Sequence, residues 1–483
     1  MRPKIYLSPI KRQKIKQQKD KEFKKYMRNT LPVYSRDDIR RQRSPYYEAV
    51  LLELGEQGYV NTKQFLWQLI EYQERLRNEQ GPDAPISFKP RLLESSQKID
   101  VLQNILKNSE TAHYKGNFGQ EIDGFIQLSV HFGFGSNDWW WLAEQIFVQA
   151  VNTSSQFWID GGKKQAIIKY FYGKFLLENM KIKEKSKKLL IEARHISIGK
   201  TWTPPKEIGY KQETIFVECC NLLFTILLSE AKEIMDSDPL TASRICGIAE
   251  KRALDACNHK GQADAFLLEG LCEIEAGDAN TALATLLKAL LLYTRIDNQE
   301  GVCETRIHIA LAFLKLGKPD KTKNNLEMLL ECALNQNLPY YVAQAYRFLG
   351  EFYLNQGQPH LATPMLLKAA QIFHEISDFL NREQAKNLAA ISAGQELISK
   401  YSELILKCGK NRENVIKLAR WKDTRELFWS ESTDKTGSKL SYVSLLHFID
   451  DELEEKPSQS YSKSQASSTN SNEKVIEIIE MDI

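Results

Sequence analysis

The stretch YRFLGEFYLNQGQPHLATPMLLKAA, residues 346–370, decides the fold. Tyr346, Leu349, Gly350 and Tyr353 fall at steps of three, one and three, which places them on one stripe of a helix. Gly357 ends that helix, because glycine enters the left-handed conformation without a Cβ clash. Ala362, Leu366 and Ala369 then mark a second stripe. Small residues at Gly350, Ala362 and Ala369 let the two helices approach closely, while Leu366 and Tyr346 fill the space between them. The stretch reads as a helix–turn–helix pair.

The pattern recurs in steps of 40 residues, through Gly277, Gly317 and Gly357, through Gly270, Ala310 and Gly350, through Leu286, Leu326 and Leu366, and through Ala289, Leu329 and Ala369. Phe266 and Tyr346 align two steps apart. One step further back, Ala242, Cys246 and Ala249 occupy the second-helix slots, so a first helix is expected from about Glu213 to Met235. Two worn copies precede it. One carries Gly173, Leu176, Leu189 and Ala193, with an insertion near Thr203-Pro204-Pro205; the other runs from Asp100 to Leu128 and turns at Gly116-Asn117-Phe118. Between the worn copies stand Trp139, Trp140 and Trp141. Three adjacent indoles cannot share one face of a helix, so at least one is expected to cover a neighbouring helix or meet a partner, and the others to pack in the core.

A fixed period of this length marks a repeat architecture, a fold that presents long surfaces to partners. The slots resemble the tetratricopeptide repeat, whose usual period is about 34 residues. The longer period implies helices extended by most of a turn each, and His374 stands where that repeat usually has proline. The expected fold is all-α, a tetratricopeptide-type helical-hairpin solenoid with ~40-residue repeats and disordered or extended charged termini. Its expected divisions are a basic arm over 1–44, a leading helical region and linker over 45–95, degenerate repeats over 96–200, an insertion loop over 201–212, regular repeats with a capping helix over 213–400, a helical region over 401–449 and an acidic, Ser-rich tail over 450–483.

The ends are charged in opposite senses. Residues 1–44 hold 15 Lys or Arg against 4 Asp or Glu, a net of +11, and residues 450–483 hold 3 against 9, a net of −6. The basic arm includes Lys11, Arg12, Lys14, Lys16, Lys19, Lys21, Lys24, Lys25 and Arg28. Two readings stand for it: a solubilising tail, or a segment attracted to a polyanion such as an acidic tubulin tail. Few aromatic residues accompany the cations (Tyr6, Phe23, Tyr26), which disfavours single-strand RNA binding, and no nucleic acid is expected as a partner. The tail ends in Val475–Ile483, an acidic and apolar run that either docks as a short ligand or frays.

Chemistry is not expected. The phosphate-cradling G-x-x-x-x-G-K-[ST] loop, H-E-x-x-H and G-x-S-x-G do not occur. Histidines such as His113, His308 and His360 are scattered without metal spacing, and the eight cysteines form no C-x-x-C pair. Several of those cysteines lie in apolar stripes, which reads as buried, reduced thiols in a reducing compartment. No catalytic residue, cofactor or metal is expected. The most apolar run, Ile215 to Leu228, is interrupted by Glu218 and Asn221 and falls short of the ~20 residues a bilayer requires, so no membrane is expected either.

If first helices line an inner groove, the groove slots are Leu267, Leu271 and Ile274, then Ile307, Leu311 and Leu314, then Arg347, Glu351 and Leu354. Leucines at the first two slots do not suit a clamp for carboxylate chain ends. They suit an amphipathic helix, or else the longer helices shift the slots and the leucines pack between repeats.

Beyond the repeats, Gly58-Tyr59, Phe65, Leu76-Arg77, Lys115-Gly116-Asn117-Phe118, Gly162-Lys163-Lys164, Thr201-Trp202 and Trp421-Lys422-Asp423-Thr424-Arg425 occur in an order and spacing that resembles the tetratricopeptide repeat protein 29 family, over about Tyr47 to Phe428. The resemblance implies a non-catalytic component of the motile cilium or flagellum axoneme. It implies association with an inner-arm, single-headed dynein on the doublet microtubule and work beside a zinc-finger MYND-domain protein. The alternatives are a cytoplasmic factor that helps assemble dynein arms and a general peptide-binding adaptor. The resemblance does not extend to the basic arm or the acidic tail.

Overall fold

The computed structural model describes residues 9–30, 35–135, 137–204 and 213–424. The tail Val475–Ile483 and the residues from Arg425 onward lie outside them, as do Pro205 and the rest of the expected insertion through 212. Among the described residues every regular element is helical. The chain forms two compact units that divide between Ile296 and Asp297.

In the first unit, α1 (Pro9–Thr30), α2 (Arg36–Arg43), α3 (Tyr46–Glu56) and α4 (Val60–Gln80) lead into the hairpins α5 (Ser96–Tyr114) with α6 (Phe118–Gly133), α7 (Trp140–Ser155), α8 (Lys163–Glu178) with α9 (Lys183–Ser197), α10 (Ile215–Ile234) with α11 (Pro239–Asp255), and α12 (His259–Glu275) with α13 (Ala279–Arg295). The second unit holds α14 (Gln299–Lys315) with α15 (Pro319–Asn335), α16 (Pro339–Asn355) with α17 (Pro359–Glu375), the long α18 (Phe379–Cys408) and α19 (Arg412–Thr424).

From α11 to α17 each helix has 17 residues, and the starts are evenly spaced at Pro239, His259, Ala279, Gln299, Pro319, Pro339 and Pro359. The punctuation is set by the backbone. Cys257, Gly277, Asp297, Gly317, Asn337, Gly357 and Ser377 all have φ between 52° and 88°, one in each successive turn. At Gly357 the turn closes as a Schellman motif: the Gly357 N–H donates to the Leu354 carbonyl at 3.0 Å and the Gln358 N–H to the Tyr353 carbonyl at 2.9 Å. The same pair of bonds closes the turns at Cys257, Gly277, Gly317, Asn337 and Ser377. Helix starts follow in register. Asp238, Asn258, Asp278, Asn298 and Asp378 accept a backbone N–H three residues on, whereas α15, α16 and α17 lack a side-chain cap and begin with Pro319, Pro339 and Pro359.

Hairpin packing follows the slots read from the sequence. A Cβ on Gly350 would lie 2.5 Å from Leu366 Cγ, and one on Gly270 would lie 2.7 Å from Leu286. Gly173 meets Leu190 in the same way, one residue beyond the Leu189 read from the sequence, so α8 and α9 share the close approach of the regular hairpins with a shifted slot. Phe266 and Tyr346 each lie under a lysine of the second helix, Lys288 at 5.5 Å and Lys368 at 5.5 Å. The core of the first unit centres on aromatics: Trp139 and Trp141 are buried, Trp140 is half-buried against the same core, and Phe147 stacks on Tyr172 at 5.2 Å.

The basic arm departs from expectation. Instead of an extended or disordered segment, its described residues form α1 and α2. Ser35 and Asp38 make a capping box at the start of α2, and α2 docks on α3 through Arg40 with Glu56 at 2.8 Å and Arg41 with Glu53 at 2.7 Å.

Gly350→Ala is expected to lower stability by about 1–3 kcal/mol in urea unfolding, because the added methyl overlaps Leu366. Leu366→Ala should absorb part of that loss in the double variant. Ser377→Gly should raise stability by about 0.5–1 kcal/mol, since it relieves a left-handed non-glycine residue.

Candidate functional site

The nine groove slots are placed unevenly. In the first unit Leu267 and Ile274 are buried, and Leu271 is half-buried against Cys246 and Cys272. In the second unit Ile307 is buried and Leu311 half-buried in the core around Leu326 and Leu349, while Leu314 is exposed. With Leu354, which packs against Ala362, Leu366 and Ala389, six of the seven apolar candidates are thus engaged in packing between helices, and only Leu314 is exposed. Arg347, Glu351 and Leu354 are all half-buried. Arg347 stacks on Phe348 at 4.4 Å, donates to Gln344 at 3.0 Å and pairs with Glu351 at 3.3 Å. Burial pushes the Glu351 carboxyl up against the opposing pull of Arg347. This face is polar and internally paired rather than an apolar trough.

A second acidic feature was not read from the sequence. Glu269 and Glu273 stand one turn apart on α12. Burial pushes the Glu269 carboxyl up to about 7; Glu273 adds to the shift, Lys288 of α13 opposes it and Glu250 of α11 adds to it.

Another missed carboxylate, Glu110 on α5, is buried and accepts hydrogen bonds from the Asn61 and Thr62 N–H groups at 3.0 and 2.9 Å and from the Thr62 hydroxyl at 2.6 Å. It caps α4 from another helix, a long-range arrangement that no local motif announces. Burial raises its pKa, but these bonds outweigh burial and leave it below the usual value. Glu110 also borders a cavity of about 260 Å³ lined by Gln64, Gln68, His113, Glu121 and Gln149. In that cavity His113 pairs with Glu121 at 2.8 Å.

The cysteines are free. Most are buried, but Cys257 is exposed, and Cys303 Sγ of α14 lies 3.9 Å from Cys332 Sγ of α15. His308 of α14 is half-buried, and burial lowers its pKa to about 4. Among the described residues no cluster of three or more His, Cys, Asp or Glu is arranged to hold a metal, and no helix is long and apolar enough to cross a membrane.

The polyanion candidates fall on α1. The side chains of Lys14, Lys16, Lys19, Lys21, Lys24, Lys25 and Arg28 are exposed, with Phe23 and Tyr26 exposed beside them. Among the described residues none of these cations joins an ion pair, in contrast to Arg40 and Arg41 of α2. Lys11 and Arg12 lie on the same helix.

The chain is similar to tetratricopeptide repeat protein 29. The Macaca fascicularis and Homo sapiens proteins of that name are each 21% identical over 417 residues, covering 86% of this chain and 86% of theirs. The Rattus norvegicus protein is 20% identical over 267 residues, 55% of each chain. No protein-family model matches. Among solved structures, a signal-transduction ATPase with a tetratricopeptide repeat sensor from Pyrococcus horikoshii superimposes with a TM-score of 0.35 at 14% identity, covering 79% of this chain and 60% of that one. Aspartyl phosphate phosphatase F from Bacillus subtilis gives 0.31 at 14% identity, covering 75% and 96%.

The Glu269 environment has a measurable consequence. A raised carboxyl pKa means that the native state keeps a proton which the unfolded chain releases, so the associated stability is present near pH 5 and lost as pH rises through about 7. Glu269→Gln should therefore be more stable than the parent chain by about 1 kcal/mol at pH 8, allowing for partial solvent screening, and no more stable at pH 5. Urea denaturation at the two pH values checks both signs.

Proposed function

We propose that this chain is a non-catalytic scaffold of the motile cilium or flagellum axoneme that helps attach a single-headed inner-arm dynein to the doublet microtubule. The observation that carries this reading is the similarity to tetratricopeptide repeat protein 29, which extends over 86% of both chains rather than over the repeats alone. The axonemal role is what that family resemblance implies, and with it come inner-arm dynein and a zinc-finger MYND-domain protein as partners.

The geometry supports a division of labour. Stacked hairpins offer long lateral surfaces whose side chains are fixed by packing, which suits a dynein-binding frame. The α1 helix supplies a separate electrostatic element. A row of exposed lysines spread along one helix matches the diffuse negative charge of tubulin surfaces better than it matches a compact ligand. The exposed Phe23 and Tyr26 lie on the same helix and add apolar contact once charge has brought it close.

Co-sedimentation with taxol-stabilised microtubules tests the electrostatic part. Removal of residues 1–34 should weaken binding by about tenfold or more at about 50 mM salt, and the difference should fade above about 300 mM, where the Debye length is well below 10 Å. Equal binding of the two chains at low salt would sink that part. Localisation of the tagged protein tests the rest. Retention in detergent-extracted axonemes is expected, and a purely cytoplasmic pool would favour a dynein-arm assembly factor instead.

A further inference from the structure

The second unit ends on a helix face that no described element covers. Ala385, Ala389, Ser392 and Ala393 of α18 are buried, packing towards α17. The opposite face carries Ile391, Ile398 and Ile405, seven residues apart and 53%, 61% and 45% exposed. That spacing aligns three β-branched side chains along about 21 Å of helix. A Cβ placed on Gly394, beside the row, meets nothing within 4 Å, so the face is open as well as apolar. Helix α19 meets α18 beside this row, with Trp421 against Tyr401 at 5.7 Å, Tyr401 being the surface neighbour of Ile398 and Ile405, and with Leu404 buried; the isoleucines stay exposed. Ile391 is also one 40-residue step beyond Glu351, so it continues the series of first-helix slots with an apolar residue where the preceding repeat has a charged one.

Fifty-nine residues, 425–483, follow α19 in the sequence. They contain Lys439-Leu440-Ser441-Tyr442-Val443-Ser444-Leu445-Leu446-His447-Phe448-Ile449-Asp450, in which Tyr442, Leu445, Leu446 and Ile449 repeat at helical spacing. Ten residues from 440 to 449 would span about 15 Å as a helix, within the length of the isoleucine row. The intervening residues 425–439 reach up to about 50 Å when extended, more than the row requires. Charge agrees with apolar pattern. Residues 400–424 hold seven Lys or Arg against three Asp or Glu, and the five acids Asp450, Asp451, Glu452, Glu454 and Glu455 directly follow the apolar segment.

We propose that residues 440–449 of this chain dock as an amphipathic helix on the Ile391, Ile398 and Ile405 face of α18, with the acidic run behind them resting on the basic end of α18 and on α19. The segment closes the last repeat from within the same chain, in the manner of a terminal cap with an apolar inner and a polar outer side. Its removal leaves a continuous apolar strip available to a partner.

Hydrogen–deuterium exchange on the full chain and on a chain ending at Thr424 tests the proposal. Amides of residues 391–406 should exchange at least about tenfold faster in the shortened chain, and a synthetic peptide of residues 438–455 added to it should restore slow exchange. Leu445→Asp with Leu446→Asp in the full chain should reproduce the fast exchange; these changes leave residues 9–424 untouched, so a folding defect in the repeats cannot mimic the result. Ile391→Ser with Ile398→Ser, both at exposed positions, should abolish the peptide's effect while preserving the helical circular dichroism signal. Equal exchange in the full and shortened chains overturns the proposal. Protection that depends on protein concentration and survives truncation also overturns it, because the cover is then a second copy.

Discussion

A single backbone requirement governs the regular half of this molecule: at evenly spaced positions, one after each helix, a residue adopts the left-handed conformation. That residue lets two Schellman bonds close the preceding helix, and the next residue but one opens another helix. With both ends of each helix set by the same clock, all helices from α11 to α17 have equal length, and side chains at equivalent slots meet equivalent partners. The close pairs Gly350–Leu366 and Gly270–Leu286 recur at equivalent slots of these equal helices. The recurring Lys–aromatic contacts at Phe266 and Tyr346 depend on the same register.

This explains which parts of the fold were legible in the sequence. The turns within hairpins carry glycine, the residue for which positive φ carries no steric cost, so the 40-residue period was visible. The turns between hairpins carry Cys257, Asp297, Asn337 and Ser377 in the same conformation. No two of these are alike, so the true half-period was not visible. The groove slots had two open readings in the sequence, an apolar trough or packing between repeats. Leu267, Ile274 and Ile307 are buried, which favours packing, and no local pattern separates a slot that lines a groove from one that packs against the next helix. Glu110 and Glu269 gain their properties from residues far along the chain or on neighbouring helices, and no local pattern records that.

The basic arm teaches a different lesson. Its charge density suggested a solvated coil, but residues 9–30 consist largely of Lys, Gln, Arg and Glu, which are strong helix formers, and contain no glycine. Composition argued against burial, and α1 is indeed exposed, but exposure and helicity are compatible. In α2 the same kind of sequence docks because Ser35 and Asp38 fix its start and Glu53 and Glu56 await its arginines. The difference between a free and a seated basic helix lay in α3, not in the arm.

The equal spacing of the helices also bears on how such a chain can lengthen or shorten. Removing one whole hairpin between matching turns, for instance α14 with α15, joins a left-handed turn to its equivalent and leaves every remaining helix in its former role. Removing a single helix with its turn joins turns just as well but exchanges first helices for second helices from that point on, placing Leu366-type residues where Gly350-type residues are required. The backbone is indifferent between the two edits and the side chains are not. Only the loss or gain of a whole hairpin therefore keeps both the turns and the packing in register, although the turns themselves recur twice as often.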